Sequence, residues 1–144
     1  MPAFSGSFFG RITAQTAMSL TDQPNHDMSL AQVTGTQKSP DENWNNATVA
    51  YWAVTDLSGG QGTQRGYYDN VHPDGDRDFG TFEGQVSISG GVMTVEGTWK
   101  ATDGTGKYKG VTANGTFRTR ALSPTEVECS WQGAYELAAA KAAR

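Results

Sequence analysis

Apolar and polar residues alternate in single steps along much of the chain, most plainly between Phe79 and Tyr135. Four alternating segments there, FGTFEGQVSISGG, VMTVEGTWKATDG, TGKYKGVTANGTFRTRAL and SPTEVECSWQGAY, are separated by Gly-rich or Pro-containing turns. A period of two puts one set of side chains on a buried face and the other toward water, which predicts a meander of antiparallel strands rather than helices. The same pattern predicts four earlier strands, at residues 4–17, 28–37, 47–57 and 63–71, joined through the polar stretches LTDQPNHD, KSPDENWNN, SGGQG and HPDGDRD. In the first, Phe4, Gly6, Phe8, Gly10 and Ile12 interleave with Ser5, Ser7, Phe9 and Arg11. Alternate glycines in a strand predict strong coiling or close backbone approach. The third, ATVAYWAVTDL, is the most apolar and is expected to be buried on both faces.

Eight strands joined mostly by short turns predict an all-β domain over residues 1–137, a closed eight-stranded antiparallel up-and-down barrel with a central cavity. Closure removes the two edges that an open meander exposes, and an interior of this strand number holds side chains or one small ligand. Residues 138–144 form a short C-terminal tail with helix propensity and no amphipathic face.

Composition narrows the function classes. The 144 residues suffice for one core, and 18 glycines suit tight turns. A net charge of −4 without a basic stripe gives no electrostatic reason for a nucleic-acid partner. No apolar run approaches the ~20 residues of a membrane-spanning helix, and MPAFSGSFFGRIT lacks the features of a signal peptide. The expectation is a cytoplasmic protein without membrane contact, in which the sequons at Asn46 and Asn114 are silent. Cys129 is the only cysteine, expected as a small buried hydrophobe in EVECSWQ.

Several near-motifs fail. Gly104, Gly106 and Gly110 space as GxGxxxG with no strand-turn-helix around them, and Tyr108 follows Lys107 where a phosphate loop needs Ser or Thr. Asp74, Asp76 and Asp78 start like a calcium loop, but Phe79 replaces its glycine and Gln85 its final Glu. With His26, His72 and one cysteine, no ligand spacing suggests zinc. Neither a metal nor a cofactor is expected.

The segment TDGTGKYKGVTANGTFRTRALSPTEVECSWQGAY resembles the C-terminal hairpin of the allene oxide cyclase and dirigent-like barrel superfamily. Gly104, Gly106, Tyr108, Gly110 and Val111 match its Gly-x-Gly-x-aromatic-x-Gly turn, and Pro124 with Thr125 matches the next hairpin. The resemblance covers about the last 60 residues. It implies a barrel, often trimeric, that guides cyclisation, isomerisation or coupling of an apolar substrate without a cofactor. One departure is that FSGSFFGRITAQT has no acid where cyclases place a cavity carboxylate.

Two functions are therefore expected: a cofactor-independent isomerase, cyclase or lyase acting on a small apolar or aromatic metabolite, or a non-catalytic lipocalin-like or dirigent-type binder. A homo-oligomer, trimer or dimer, is expected with either. Aromatic density in the middle strands suggests a lined pocket. The expected ligand contacts are Tyr51, Trp52, Tyr68, His72, Trp99, Arg118 and Trp131. His72, before Pro73, is expected at the rim. For chemistry the fourth strand offers two faces. Asp69 as base, Tyr67 as donor and Arg65 as compensating cation share one, while Tyr68 and His72 share the other. The first set is expected to be catalytic if its face points inward; if it points out, the second face becomes the site.

Overall fold

In a computed structural model of the chain, residues 1–139 are described. Eight strands follow in order: β1 (Ala3–Leu20), β2 (His26–Thr36), β3 (Thr48–Ser58), β4 (Gln61–Val71), β5 (Arg77–Ser89), β6 (Val92–Gly104), β7 (Thr112–Ser123) and β8 (Glu126–Glu136). Each pairs antiparallel with its sequence neighbours, and β8 returns to β1 to close the barrel. β1 meets β8 through residues 3–11 and β2 through residues 10–20. Its second half therefore extends past β8. Most of the predicted tail, residues 140–144, lies outside the described residues.

Registry carries the alternation around the wall. Val33, Tyr51, Tyr68, Gly80 and Ala101 are successive cross-strand partners and share one parity. Trp52, Tyr67, Thr81 and Lys100, one residue along, share the opposite, outer parity. β3 corrects one expectation, because it is buried on one face only: Tyr51 is 9% exposed but Trp52 is 37% exposed. An apolar run can be half exterior when its outer positions are aromatic or β-branched, residues that suit a strand on either face.

The interior contains two packed clusters. Phe8, Val33, Val49, Tyr51, Ala53, Val127 and Cys129 form one in mid-barrel. Phe4, Trp44, Tyr108, Val111, Ala113 and Tyr135 form the other, which plugs one end. Two segments outside the strands build this plug. The loop 37–47 is shaped by Asx and Ser turns (Asp41 Oδ1 accepts from Asn43 N at 2.9 Å, Ser39 Oγ from Asp41 N at 3.1 Å), and it delivers Trp44. A single 3-10 turn, Gly106–Tyr108, delivers Tyr108. Gly104 makes room for it, since a Cβ there would stand 2.6 Å from the Cβ of Tyr108. Gly106, at φ 58°, admits only glycine comfortably, and the Asp76 carboxylate lies where its Cβ would be.

At the β1–β2 turn, His26 is held between two acids, Nδ1 to Asp22 Oδ1 and Nε2 to Asp56 Oδ1, both at 2.6 Å. Hydrogen bonds to both acids raise the His26 pKa, and the His26 bond lowers that of Asp22. The raised histidine contributes stability below about pH 6.5, lost as pH rises through its folded value. The lowered acid contributes above about pH 3.8, lost as pH falls through its folded value. Replacing His26 by Gln is therefore expected to lower Tm most between those limits. Circular-dichroism melts of both proteins at about pH 5 and about pH 9 check it, with the smaller difference at the alkaline value.

Candidate active site

The inner face of the wall holds a cavity of about 80 Å³. Phe4, Phe8, Trp44, Val49, Phe82, Trp99, Phe117 and Trp131 supply its apolar lining. The polar lining is Gln37, Tyr51, Gln64, Tyr68, Asn70, Asp78, Thr119 and Cys129. Gln64 satisfies itself against Thr55 Oγ1 at 2.9 Å.

A single chain of hydrogen bonds runs from this lining into the plug. Trp131 Nε1 donates to Gln37 Oε1 (2.9 Å), Gln37 Nε2 to Asn70 Oδ1 (3.1 Å), and Asn70 Nδ2 to Asp78 Oδ2 (3.2 Å). Asn70 and Asp78 meet because they are directly opposite in the β4–β5 ladder. Asp78 Oδ1 lies 2.6 Å from His72 Nε2, and both side chains are 2% exposed. His72 stacks on Tyr108, with centroids 4.0 Å apart and planes 16° from parallel. Its Nδ1 lies 3.2 Å from the Tyr108 hydroxyl, which donates to the Asn43 carbonyl.

Donor counting fixes part of the protonation state. The Tyr108 hydroxyl has one proton and spends it on Asn43, so the Nδ1 contact requires an N–H on His72. One proton then remains for the 2.6 Å link between Nε2 and Asp78. The pair is either imidazolium with carboxylate or imidazole with carboxylic acid. Burial pushes the Asp78 carboxyl above the ordinary range, against the opposing pull of His72 and Asn70. A carboxyl raised in this way, at the wall of an apolar cavity, has the tuning of a general base.

Tyr68 is placed beside it. Its hydroxyl is buried with no hydrogen-bond partner, and its acidity is suppressed first by burial and then by the Asp78 charge. It therefore remains a neutral phenol able to donate. Trp44 contributes its ring to the lining, and its indole N–H is directed at the Tyr135 hydroxyl. Cys129 takes no part in ionic chemistry at neutral pH, because burial pushes its thiol up to about 11.

The residues expected from the sequence divide by parity. Tyr51, Tyr68, Trp99 and Trp131 line the cavity. Arg65, Tyr67 and Asp69 do not: they lie on the outer wall, where Tyr67 is 66% exposed and Asp69 pairs with Arg77. Trp52 is also outside, donating through Nε1 to Gln32 at 2.8 Å, and Arg118 faces solvent beside Glu96 at 3.4 Å. His72 is not at an open rim but is 4% exposed inside the plug. The turn that follows it folds back, His72 N bonding Asp76 O and Gly75 N bonding His72 O, and so directs the ring inward.

Asp78, Asn70 and Gln37 were not expected in the site, whereas Trp44 belongs to the aromatic set from which a lined pocket was expected. A signal for Asp78 was present, since it shares the period-two face of Gly80, Phe82 and Val86. Among the described residues no group of His, Cys, Asp and Glu is arranged to hold a metal ion. No described helix is long and apolar enough to cross a membrane. No protein-family model and no curated protein matches this chain.

Proposed function

We propose that the protein is a cofactor-independent isomerase, cyclase or lyase that moves a proton on a small apolar or aromatic metabolite held inside the barrel. The observation that carries this reading is Asp78, a buried carboxyl with a raised pKa at the wall of an otherwise aromatic cavity, beside the unpartnered hydroxyl of Tyr68. Asp78 would take a proton from carbon next to a carbonyl, and Tyr68 would donate to the oxygen on which negative charge develops. His72, bonded to the other carboxylate oxygen, would hold Asp78 in orientation and moderate its charge. The resemblance of residues 104–111 to the cyclase and dirigent-like barrels supports the same class.

A cytoplasmic homo-oligomer, trimer or dimer, belongs to the same reading. The exposed side chains of Met18, Met28, Leu30, Trp52 and Tyr67 on the outer wall of β1–β4 support its oligomeric part. The alternative is a non-catalytic binder of hydrophobic ligands, favoured by the number of aromatic rings that line the cavity.

The test is proton exchange in deuterium oxide with indanone, tetralone and acetophenone, followed by NMR at the carbon next to the carbonyl. Acceleration of at least ~100-fold over buffer is expected for a positioned acid-base pair. Saturable binding of these ketones without acceleration would overturn catalysis and leave the binder.

A further inference from the structure

We propose that the cavity selects an uncharged ligand carrying a hydrogen-bond acceptor, a ketone or similar carbonyl compound, and rejects carboxylates; this rests on the reading of the cavity as a ligand site. The argument starts from an inventory of charge. Every described Lys and Arg is exposed: Arg11, Lys38, Arg65, Arg77, Lys100 and Lys107 on one side of the sequence, Lys109, Arg118 and Arg120 on the other. Among the described residues the one ion-pairing couple reaching the interior is Asp78 with His72, whose 2.6 Å contact already matches one acid to one base. A ligand carboxylate would therefore enter an apolar space with no cation to meet it and with the Asp78 carboxyl nearby. An ionised group buried without a partner is among the most costly arrangements in a protein interior.

The inventory of hydrogen bonds points the same way. Among the described residues, the Tyr68 hydroxyl is a buried polar group that lines this cavity without a hydrogen-bond partner. Such an orphaned group in a native structure calls for an occupant, and an acceptor on the ligand satisfies it where a hydrocarbon does not. Selectivity of this kind is steep, because a ligand lacking the acceptor leaves the donor unpaired.

Isothermal titration with three ligands of nearly equal shape tests the assignment: acetylnaphthalene, ethylnaphthalene and naphthoate, at about pH 8 so that the last is ionised. Acetylnaphthalene is expected to bind at least ~10-fold tighter than ethylnaphthalene. Naphthoate is expected to bind at least ~100-fold weaker than acetylnaphthalene. Tyr68→Phe should remove most of the ketone's advantage. The ketone-to-ethylnaphthalene affinity ratio is read within Tyr68→Phe itself, and retained ethylnaphthalene binding shows that the cavity has survived. The proposal is overturned if naphthoate binds as well as the ketone, if Tyr68→Phe keeps the full ketone preference, or if none of the three binds. Because binding is read without turnover, a failure of proton exchange leaves this result standing as selective binding.

Discussion

Replacing Asp78 by Asn is expected to slow carbon-bound proton exchange by at least ~100-fold, the effect of losing a positioned general base. The substitution keeps shape and most contacts. An Asn oxygen can still accept from Asn70 Nδ2, and its amide can donate to a neutral His72 Nε2, so the network of 3.2 and 2.6 Å bonds has a way to persist. Ketone affinity should therefore change little, and the loss should fall on the rate. Asp69→Asn is the companion measurement, because Asp69 lies on the outer wall paired with Arg77. Exchange within about threefold of the parent is expected there, far short of the effect of an acid-base group. The opposite pattern, with Asp69 critical and Asp78 silent, would move the chemistry to the outer face.

His72→Ala is expected to destabilise the fold by roughly 3–5 kcal/mol, the cost of removing one partner from a buried ion pair. Tm should fall on the order of 10 °C for a domain of this size. The substitution leaves the Asp78 carboxyl, 1% exposed, with Asn70 as its remaining partner, and removes the ring that stacks on Tyr108. The sign with pH follows from burial, which already raises the Asp78 pKa in the parent. A group raised in the folded state stabilises below its unfolded pKa and ceases to as pH rises through its folded value. The deficit of His72→Ala should therefore be smaller at about pH 5 than at about pH 8. Urea unfolding at both values measures it, and adding Asp78→Asn should recover much of the loss. An equal deficit at both pH values, unrelieved by the second substitution, would show that stacking and packing, not charge, are what His72 supplies.

The barrel was legible in the sequence because period-two alternation survives almost unbroken from β3 to β8, and glycine turns mark its interruptions. The absolute phase of that alternation was not legible on β4. Tyr67 and Tyr68 are adjacent and chemically alike, so GTQRGYYDNVH gives either face an aromatic hydroxyl, and only the neighbouring strands decide. Val49, Tyr51 and Ala53 on β3 are buried, and their register partners Asn70, Tyr68 and Gly66 follow them inward. Asp78 was hidden differently. It shares a run with Asp74 and Asp76, which are turn acids bonding backbone N–H groups, and composition alone cannot separate the one that enters the barrel from the two that stay outside. Trp44 was legible as loop but not as plug, because its burial depends on contacts with Phe4, Tyr108 and Tyr135 that are remote in sequence.

The plug gives the molecule a floor that is independent of its walls. Trp44 and Tyr108 reach the interior from a loop and from one 3-10 turn, neither belonging to the ladder that closes the barrel. Floor height can therefore drift, through loop exchange or a smaller ring at either position, while the strand register and the Asp78–Asn70 pairing stay as they are. A chain built in this way can change the length of molecule it admits without rebuilding the chemistry at its wall.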